Sequence, residues 1–317
     1  GAAAPAPSRS RARPRYNRDV PRNCLALILI VLLLAGCQAA APSTPAPASS
    51  TAAVSPTAAA TFTPTPTSVP TPTPTPTLAP CTETAGRVEW MQMDSELLDR
   101  PLDLQIYFPP CYGWPGEEDA RYPVLYFLHG QLGSEKQWQE LGAPEAADEL
   151  IAAGRIRPYL IVMPDEDDNL TDPTTSRFPD MIIQELIPWV DSQYSTCTDR
   201  ECRAIGGLSR GGGWAMNLAF QHWEMFGSVG GHSLPPFYGY TTRMPIWLAD
   251  MGMENIPRIY IDIGTGDPYL AAASEFEDLL THLRVPHEWH LNTGIHNEAY
   301  WSAQVKNYLR WYFPAQE

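Results

Sequence analysis

Residues 203–213, RAIGGLSRGGG, decide how the rest of the chain is interpreted. The stretch begins with an apolar run at 203–206 that predicts a strand, and it continues into a helix-like segment at 210–222. Between them lies Gly207-Leu208-Ser209-Arg210-Gly211, a G-x-S-x-G motif. A serine on such a strand-to-helix turn is strained, and glycine two residues to either side avoids a collision with the neighbouring strand and helix. The pentapeptide alone also fits a glycine-rich β–α turn, but its flanking elements favour a nucleophile elbow at Ser209.

Apolar runs of strand length alternate with helical patterns on both sides of this motif. We expect strands at 102–108, 123–128, 159–163, 203–206, 226–230, 258–263 and 288–291, and helices at 135–153, 181–194, 210–222, 272–283 and 298–312. The runs at 123–128 and 159–163 are continuously apolar, as expected of central strands buried on both faces. The pattern predicts an α/β domain with a mostly parallel central sheet and helices on both faces. Segments 165–178 and 233–244 are expected to be loops.

The base and the acid that a nucleophilic serine needs are found at the ends of later strands. A serine hydroxyl requires a general base, which is itself oriented by a carboxylate. His296 follows the last predicted strand in a loop before the terminal helix. Asp267 lies just beyond the carboxyl end of the strand 258–263, where catalytic groups of open α/β sheets collect, whereas Asp262 lies inside that strand. The candidate triad is therefore Ser209, Asp267 and His296, in the chain order of α/β-hydrolases.

Two backbone N–H groups are candidates for an oxyanion hole. One belongs to Arg210, the residue after the nucleophile, and the other to Gln131 in the loop after the strand 123–128. His129 begins this loop, and we expect it to hold the loop rather than to transfer a proton. The Arg210 side chain is expected to be solvated, with an acidic substrate group as the alternative partner.

The N-terminal part of the chain has the composition of a targeting signal. Residues 1–36 contain six arginines against one aspartate and then an apolar run at 25–34, which is shorter than the about 20 residues of a membrane-spanning helix. Leu34-Ala35-Gly36-Cys37 resembles the lipobox of bacterial lipoproteins. We expect cleavage before Cys37, lipidation of Cys37 and anchoring on the outer side of a membrane. An ordinary secretory signal and an uncleaved anchor are the alternatives.

A tether follows the signal. Residues 37–80 are rich in Ala, Pro, Ser and Thr, and residues 38–80 carry no charge, so they lack the large apolar groups that offset ordering entropy. We expect a disordered linker there, followed by one folded domain at 81–317. That domain holds 15 basic and 35 acidic residues, which gives it a net charge of −20. Phosphate backbones would repel it, so nucleic acid is excluded as a partner.

Four cysteines of the domain indicate an oxidising compartment. An even number in an exported domain favours disulfides, and we expect Cys81 to pair with Cys111 and Cys197 with Cys202. A zinc site is disfavoured, because neither a C-x-x-C pair nor histidines at ligand spacing accompany the cysteines. We expect no metal and no cofactor.

Two groups of residues are candidates for further contacts. Asp165, Glu166, Asp167 and Asp168 form an acidic run that is expected to be a solvated loop, with calcium binding as the alternative. The aromatic residues Trp138, Phe237, Tyr238 and Tyr240 are candidates to line a cleft for sugars or aryl esters, although packing would explain them equally well.

Taken together, these motifs resemble those of the Putative esterase family, which includes esterase D, feruloyl and acetylxylan esterases, siderophore esterases and the antigen 85 mycolyltransferases. The resemblance runs from near Leu102 to the C-terminus. It includes YPVLY leading to His129-Gly130, IVMPD at 161–165, GLSRGGG at 207–213, Gly266-Asp267, and Gly294 to His296 with Trp301. His222-Trp223-Glu224 and Asn297 depart from the family pattern.

The resemblance implies an α/β-hydrolase fold, with Ser209 as nucleophile, Asp267 as acid, His296 as base, and the Gln131 and Arg210 amides as oxyanion hole. The hypothesis is a lipid-anchored, extracytoplasmic serine esterase that acts on small-molecule or polysaccharide-linked esters. Acyl transfer to a cell-envelope acceptor and a non-catalytic surface binding module are the alternatives. The sequence carries no signal for an oligomeric state.

Overall fold

The computed structural model describes residues 80–115, 118–166, 170–237 and 239–315. The predicted signal, Cys37 and all but the last residue of the predicted linker lie outside the described residues. Within those described ranges, no helix combines the length and the apolar character needed to cross a membrane.

An eight-stranded sheet forms the centre of the fold. Its strands are β1 (Arg87–Met93), β2 (Leu102–Phe108), β3 (Val124–Leu128), β4 (Leu160–Pro164), β5 (Arg203–Leu208), β6 (Ser228–His232), β7 (Arg258–Gly264) and β8 (Glu288–Asn292). They lie in the order β1-β2-β4-β3-β5-β6-β7-β8. β1 and β2, and β2 and β4, pair antiparallel, whereas β4, β3 and all later strands run parallel. The predicted mostly parallel α/β sheet is therefore confirmed.

Helices cover both faces of the sheet. They are α1 (Gln137–Glu140), α2 (Ala143–Ala152), α3 (Phe178–Met181), α4 (Ile187–Gln193), α5 (Arg210–Gln221), α6 (Tyr240–Met251), α7 (Leu270–His282) and α8 (Glu298–Tyr312). One hydrophobic core lies between the sheet and α3 to α7, and the other lies between the sheet and α1, α2 and α8.

Strand β3 shows why a continuously apolar run suits a central position. Tyr126 and Leu128 pack into the first core, and Leu125 and Phe127 pack into the second. Successive side chains of a strand point to opposite faces, so a strand with cores on both faces has no solvated position.

Three differences from the expected elements concern helices. The single helix predicted at 135–153 is divided into α1 and α2 at Gly142, whose φ of 85° is left-handed. The helix predicted at 181–194 begins earlier, at Phe178, and contains a π-helical turn at Ile182–Leu186. The loop prediction for 233–244 was wrong at its end, because α6 begins at Tyr240 and tolerates Pro245 in its interior.

Two disulfides join the expected pairs of cysteines. Cys81 bonds to Cys111, and Cys197 bonds to Cys202, with S–S distances of 2.07 and 2.17 Å. In the described part of the chain, Cys81, Glu83 and Cys111 are the only cluster with the dimensions of a metal site. Because a metal is bound by thiolates, and these sulfur atoms are bonded to each other, the cluster offers no thiolate ligand.

Candidate active site

Ser209 occupies a sharp turn between β5 and α5. Its φ of 51° and ψ of −120° are unusual for a residue with a side chain, and such strain is found at functional sites. A Cβ atom added at Gly207 would lie 2.4 Å from the carbonyl carbon of Gly211, and one added at Gly211 would lie 2.4 Å from the carbonyl oxygen of His129. The two glycines therefore permit the close approach that the turn needs.

The side chains of Ser209, His296 and Asp267 meet at the carboxyl edge of the sheet. Ser209 Oγ lies 2.9 Å from Nε2 of His296, and Nδ1 of His296 lies 2.8 Å from Oδ2 of Asp267. The serine and the aspartate are buried, whereas 18% of the His296 side chain is exposed. The structure thus brings together three residues that are 87 and 29 positions apart in the sequence, in hydrogen-bonding order.

Neighbouring groups fix the aspartate and the imidazole. The second carboxylate oxygen of Asp267 accepts a hydrogen bond from the backbone N–H of Tyr269 at 2.9 Å. The rings of Tyr269 and Trp301 each lie 5.0 Å from the imidazole of His296 in edge-to-face geometry. Asn297 follows the histidine and caps α8, because its side chain accepts from the N–H of Tyr300. Contacts from the segment before α7 and from the start of α8 therefore fix the position of His296.

The two expected oxyanion donors lie in segments that flank Ser209. Gln131 follows Gly130, and a Cβ added at Gly130 would lie 3.3 Å from Cβ of Ser209. This loop is held by the Gly130 N–H, which donates to the side chain of Gln137 at 2.8 Å. Arg210 is the first residue of α5, where a backbone N–H has no acceptor within the helix.

His129 links this loop to the loop that follows β4. The backbone N–H of Glu166 donates to Nε2 of His129 at 2.7 Å, so Nε2 is an acceptor and the proton lies on Nδ1. Nδ1 then donates to the carbonyl of Gly130 at 2.7 Å. Both ring nitrogens are occupied by backbone partners, so His129 holds the loop.

The prediction of a solvated Arg210 side chain was wrong. Its guanidinium forms two hydrogen bonds with the carboxylate of Glu166, at 2.8 and 2.6 Å, and a third with the carbonyl of Thr171 at 2.9 Å. The two side chains are only 9% and 4% exposed. Bidentate pairing offsets the cost of burying both charges. The pair connects the turn that carries Ser209 to the loop after β4.

The same contacts correct the interpretation of the acidic run. Glu166 is buried against Arg210 and is therefore not part of a solvated loop. Its two oxygens are both engaged by the guanidinium, and Asp165 lies 3.2 Å from His129. Asp167 and Asp168 lie outside the described residues.

A second histidine–aspartate pair, which sequence reasoning missed, is buried in the sheet. Nδ1 of His232, the last residue of β6, lies 2.8 Å from Oδ1 of Asp262 in β7, and both residues are 0% exposed. The backbone carbonyl of His232 accepts the N–H of Ser209 at 2.8 Å. The available signal was a charged residue, Asp262, inside an otherwise apolar strand, because such a residue requires a buried partner.

Three tyrosines of α8 complete this buried network. Tyr300 and Tyr308 donate to Oδ2 of Asp262 at 2.6 and 2.8 Å, and the hydroxyl of Tyr312 lies 3.0 Å from Nε2 of His232. Burial, followed by the nearby charge of Asp262, raises the pKa of the Tyr300 and Tyr308 phenols. Burial is also the largest cause of the raised pKa of Tyr312. The three phenols therefore stay protonated donors.

The predicted aromatic cleft is only partly present. Trp138 is fully buried, stacks on Phe127 at 3.5 Å and donates to the carbonyl of Leu128, so it belongs to the core and the cleft assignment was wrong for it. Phe237 and Tyr240 do line a cavity of about 380 Å³ together with Trp214. Tyr238 lies outside the described residues.

Two curated relatives are similar in sequence to part of this chain. An endo-1,4-beta-xylanase/feruloyl esterase of Xylanibacter ruminicola is 34% identical over 191 residues, which are 57% of this chain and 25% of that protein. An esterase of Mycobacterium tuberculosis is 27% identical over 244 residues, 61% of this chain and 52% of that protein. The chain thus spans a quarter to about half the length of these two relatives.

Solved structures show the same fold at lower identity. A ferulic acid esterase superposes with a TM-score of 0.63 at 23% identity and covers 73% of this chain and 98% of its own. An S-formylglutathione hydrolase from Staphylococcus aureus has a TM-score of 0.60 at 18% identity, with 71% and 99% covered. These likenesses establish the α/β-hydrolase fold.

The family model described as Putative esterase matches residues 95–312, which include Ser209, Asp267 and His296. Since this match spans more than half of the chain, the protein belongs to the Putative esterase family.

Proposed function

We propose that the chain hydrolyses carboxylic esters through Ser209, His296 and Asp267. The observation that carries the proposal is the continuous hydrogen-bonded line from Ser209 Oγ to His296 Nε2, at 2.9 Å, and from His296 Nδ1 to Asp267 at 2.8 Å. This is the geometry in which a histidine takes a proton from a serine while a carboxylate holds the correct tautomer.

In the first half of the proposed reaction, His296 Nε2 removes the hydroxyl proton as Ser209 Oγ attacks the ester carbonyl. The oxygen of the tetrahedral intermediate becomes negative and is bound by the backbone N–H groups of Gln131 and Arg210. His296 then returns the proton to the departing alcohol, and the acyl group stays on the serine. Asp267 keeps its charge throughout and stabilises the imidazolium.

In the second half, His296 accepts a proton from water, which attacks the acyl carbonyl. The proton passes to Ser209 as the acid is released, so the enzyme is regenerated. A different alcohol in place of water would give acyl transfer with the same intermediate.

For the substrate, we propose esters of aromatic acids. The names of relatives support this choice, because the Xylanibacter protein is named a feruloyl esterase and one structural neighbour is a feruloyl esterase module complexed with sinapinate. Tyr269, which is 40% exposed and whose ring lies 5.0 Å from the imidazole of His296, is consistent with an aromatic acyl group beside the histidine.

The test is hydrolysis of methyl ferulate, methyl acetate and longer acyl esters by the purified protein, beside the Ser209→Ala variant. We expect hydrolysis by the wild type, fastest on methyl ferulate, and only residual activity in the variant with an unchanged circular dichroism spectrum. Equal rates in wild type and variant would refute the role of Ser209. Product analysis with added alcohols separates hydrolysis from acyl transfer.

We further propose that the protein is a lipoprotein held outside the cytoplasm through Cys37. The proposal is supported by the order Leu34-Ala35-Gly36-Cys37 after an apolar run, and by two disulfides, which persist in oxidising compartments. In a bacterial host, we expect the wild type in the membrane fraction and a Cys37→Ser variant to be absent from it. Equal membrane association of variant and wild type would contradict it.

A further inference from the structure

Glu166, in the segment after β4, contacts both segments that carry the expected oxyanion donors. Its backbone N–H donates to Nε2 of His129, which begins the loop of Gln131. Its carboxylate binds the guanidinium of Arg210, the residue after Ser209, through hydrogen bonds of 2.8 and 2.6 Å. A single residue of a third segment is therefore bonded to the two segments that must be held at a fixed distance from each other.

The contact through His129 reaches the peptide group that carries the first donor. Nδ1 of His129 donates to the carbonyl of Gly130 at 2.7 Å, and the N–H of Gly133 donates to the same carbonyl at 3.0 Å. This carbonyl and the N–H of Gln131 belong to one planar trans peptide group, so the bonds that hold the carbonyl also fix the direction of the N–H. The Gln131 N–H donates to no group of the described residues. It is therefore oriented and available to an oxyanion.

The contact through Arg210 restricts the second donor. The side chains of Arg210 and Glu166 are only 9% and 4% exposed, so solvent screens the attraction between their charges little. The carbonyl of Thr171 accepts a third hydrogen bond from the guanidinium, at 2.9 Å. Because these bonds fix the Arg210 side chain, they also restrict the backbone N–H of the same residue.

Stability alone does not require an ion pair at this position. Buried ion pairs can often be replaced by apolar residues of similar volume without loss of stability. Oxyanion stabilisation, in contrast, depends on donors that are placed at about 2.7–3.1 Å from the developing charge before the reaction begins. A directional link between the two donor segments therefore has a catalytic consequence that an apolar contact would lack.

We propose that Glu166 is a positioning residue, which sets the distance between the Gln131 and Arg210 amides and thereby stabilises the oxyanion. It acts through His129 and Arg210 and takes no part in proton transfer or nucleophilic attack. Because it concerns the transition state of the proposed reaction, the inference rests on the proposed esterase function.

The experiment compares Glu166→Gln with the wild type on the ester that the wild type hydrolyses fastest. Glutamine has the size of glutamate but turns N–H groups toward part of the guanidinium, so bidentate pairing is lost. We expect kcat to fall about 10- to 100-fold with KM unchanged, which is less than the about 100- to 1,000-fold for outright loss of a donor.

A trifluoromethyl ketone inhibitor measures the oxyanion directly. Its carbonyl carbon bonds to Ser209 Oγ, the carbonyl oxygen takes the electron pair and becomes negative, and the hydroxyl proton passes to His296. The inhibitor should bind Glu166→Gln more weakly than wild type by the same factor as the loss of kcat, because it resembles the transition state. A residue that serves only the fold would change the melting temperature and leave this affinity unchanged.

The matched control is Asp191→Asn. Asp191 and Arg203 form another largely buried pair of a carboxylate and a guanidinium, at 2.7 Å. Arg203 begins β5, so this pair lies at the opposite end of the strand from Ser209. Asp191→Asn should lower the melting temperature, as Glu166→Gln does, and leave kcat and inhibitor binding unchanged.

The double variant of Glu166→Leu with Arg210→Met separates the lost link from the cost of a buried, unpaired charge. Since neither charge remains, the melting temperature should return toward that of the wild type. We expect kcat to stay low, because the link between the two donor segments is still absent. If Glu166→Gln alone does not fold, this double variant carries the test.

Three results would overturn the proposal: wild-type kcat and inhibitor affinity in folded Glu166→Gln, equal losses of kcat in Asp191→Asn, or recovery of kcat in the double variant. Failure of the proposed esterase function is separately visible, because the wild type itself would then hydrolyse no ester.

Discussion

Among the described residues, two histidine–aspartate pairs have the same Nδ1 to carboxylate distance, 2.8 Å, in different surroundings. His296 is partly exposed and has Ser209 Oγ on its second nitrogen. His232 is 0% exposed and has the hydroxyl of Tyr312 there. The difference teaches that a histidine–aspartate pair is not by itself a general base. The pair also needs a nucleophile on the other nitrogen and access for a substrate.

The buried pair has a different consequence for the fold. Asp262 accepts from His232, Tyr300 and Tyr308, so β6 and β7 are joined to α8 through one carboxylate. Since low dielectric strengthens satisfied networks and penalises broken ones, we expect this pair to contribute mainly to stability. Substitutions in both pairs and a pH series test the comparison.

The largest contrast is expected between the two histidines. His296→Ala should lower kcat by about 10⁵- to 10⁶-fold, because a serine without its base retains little nucleophilicity. Its melting temperature should change little, since the side chain is partly exposed. His232→Ala should instead lower the melting temperature by about 10 °C, from a loss of about 3–5 kcal/mol at a buried pair. Kinetics with a ferulate ester and thermal denaturation measure both. An equal loss of kcat in folded His296→Ala and His232→Ala variants would contradict the distinction between the two pairs.

The two aspartates sharpen the same contrast. Asp267→Asn should lower kcat by about 10⁴-fold, because the amide favours the wrong tautomer of His296. Asp262→Asn cannot accept all three hydrogen bonds, so we expect a loss of about 3 kcal/mol in the free energy of unfolding. Denaturant titration of both variants, with kcat measured in parallel, checks the assignment. A stability loss confined to Asp267→Asn would contradict it.

Tyr312→Phe removes one hydroxyl and leaves Nε2 of His232 without its partner. The expected cost is about 1–3 kcal/mol of unfolding free energy, as for an unsatisfied buried group. We expect kcat to be unchanged, because the hydroxyl lies on the buried pair and not on His296. Tyr269→Phe is a control, since Tyr269 is 40% exposed and bonds to Asp267 through its backbone. A larger stability loss in the control would contradict the account.

The smallest effect is a difference in pH dependence. The pKa of Tyr312 is raised by burial, whereas an unfolded tyrosine ionises near about 10. Above that pH the unfolded chain loses a proton that the folded chain keeps, so stability falls as pH rises. Tyr312→Phe should reduce the loss of stability between pH 9 and 11 by about 1.4 kcal/mol in total. Denaturant unfolding between pH 9 and 11 gives the free energy of unfolding at each pH. If this free energy falls equally with pH in variant and wild type, the Tyr312 phenol ionises normally, which would contradict the account.

Local sequence patterns were sufficient to predict most of the fold. The central strands were predictable because residues such as those of 123–128 must be apolar on both faces. The prediction at 233–244 failed because Pro245 normally interrupts a helix, and packing of Tyr240 and Met244 in the core overrides that preference. Strand β1 was not predicted, since most of its residues are exposed or half-buried at the sheet edge.

The geometry of the candidate site was predictable where a residue's position follows from its place at a strand end. Ser209, Asp267 and His296 each follow a strand, and parallel strands bring such ends to one edge. The Arg210–Glu166 pair and the buried His232 network were not predictable in this way. Their partners are 44 and 30 residues apart, and nothing local specifies which buried charge meets which.

The most direct measurement of the central claim is labelling of the purified protein with a fluorophosphonate, followed by peptide mass spectrometry. The account predicts one adduct, on Ser209, that is lost in His296→Ala and retained in a folded His232 variant. A folded wild-type protein that stays unlabelled, or a label that depends on His232 instead of His296, would contradict it.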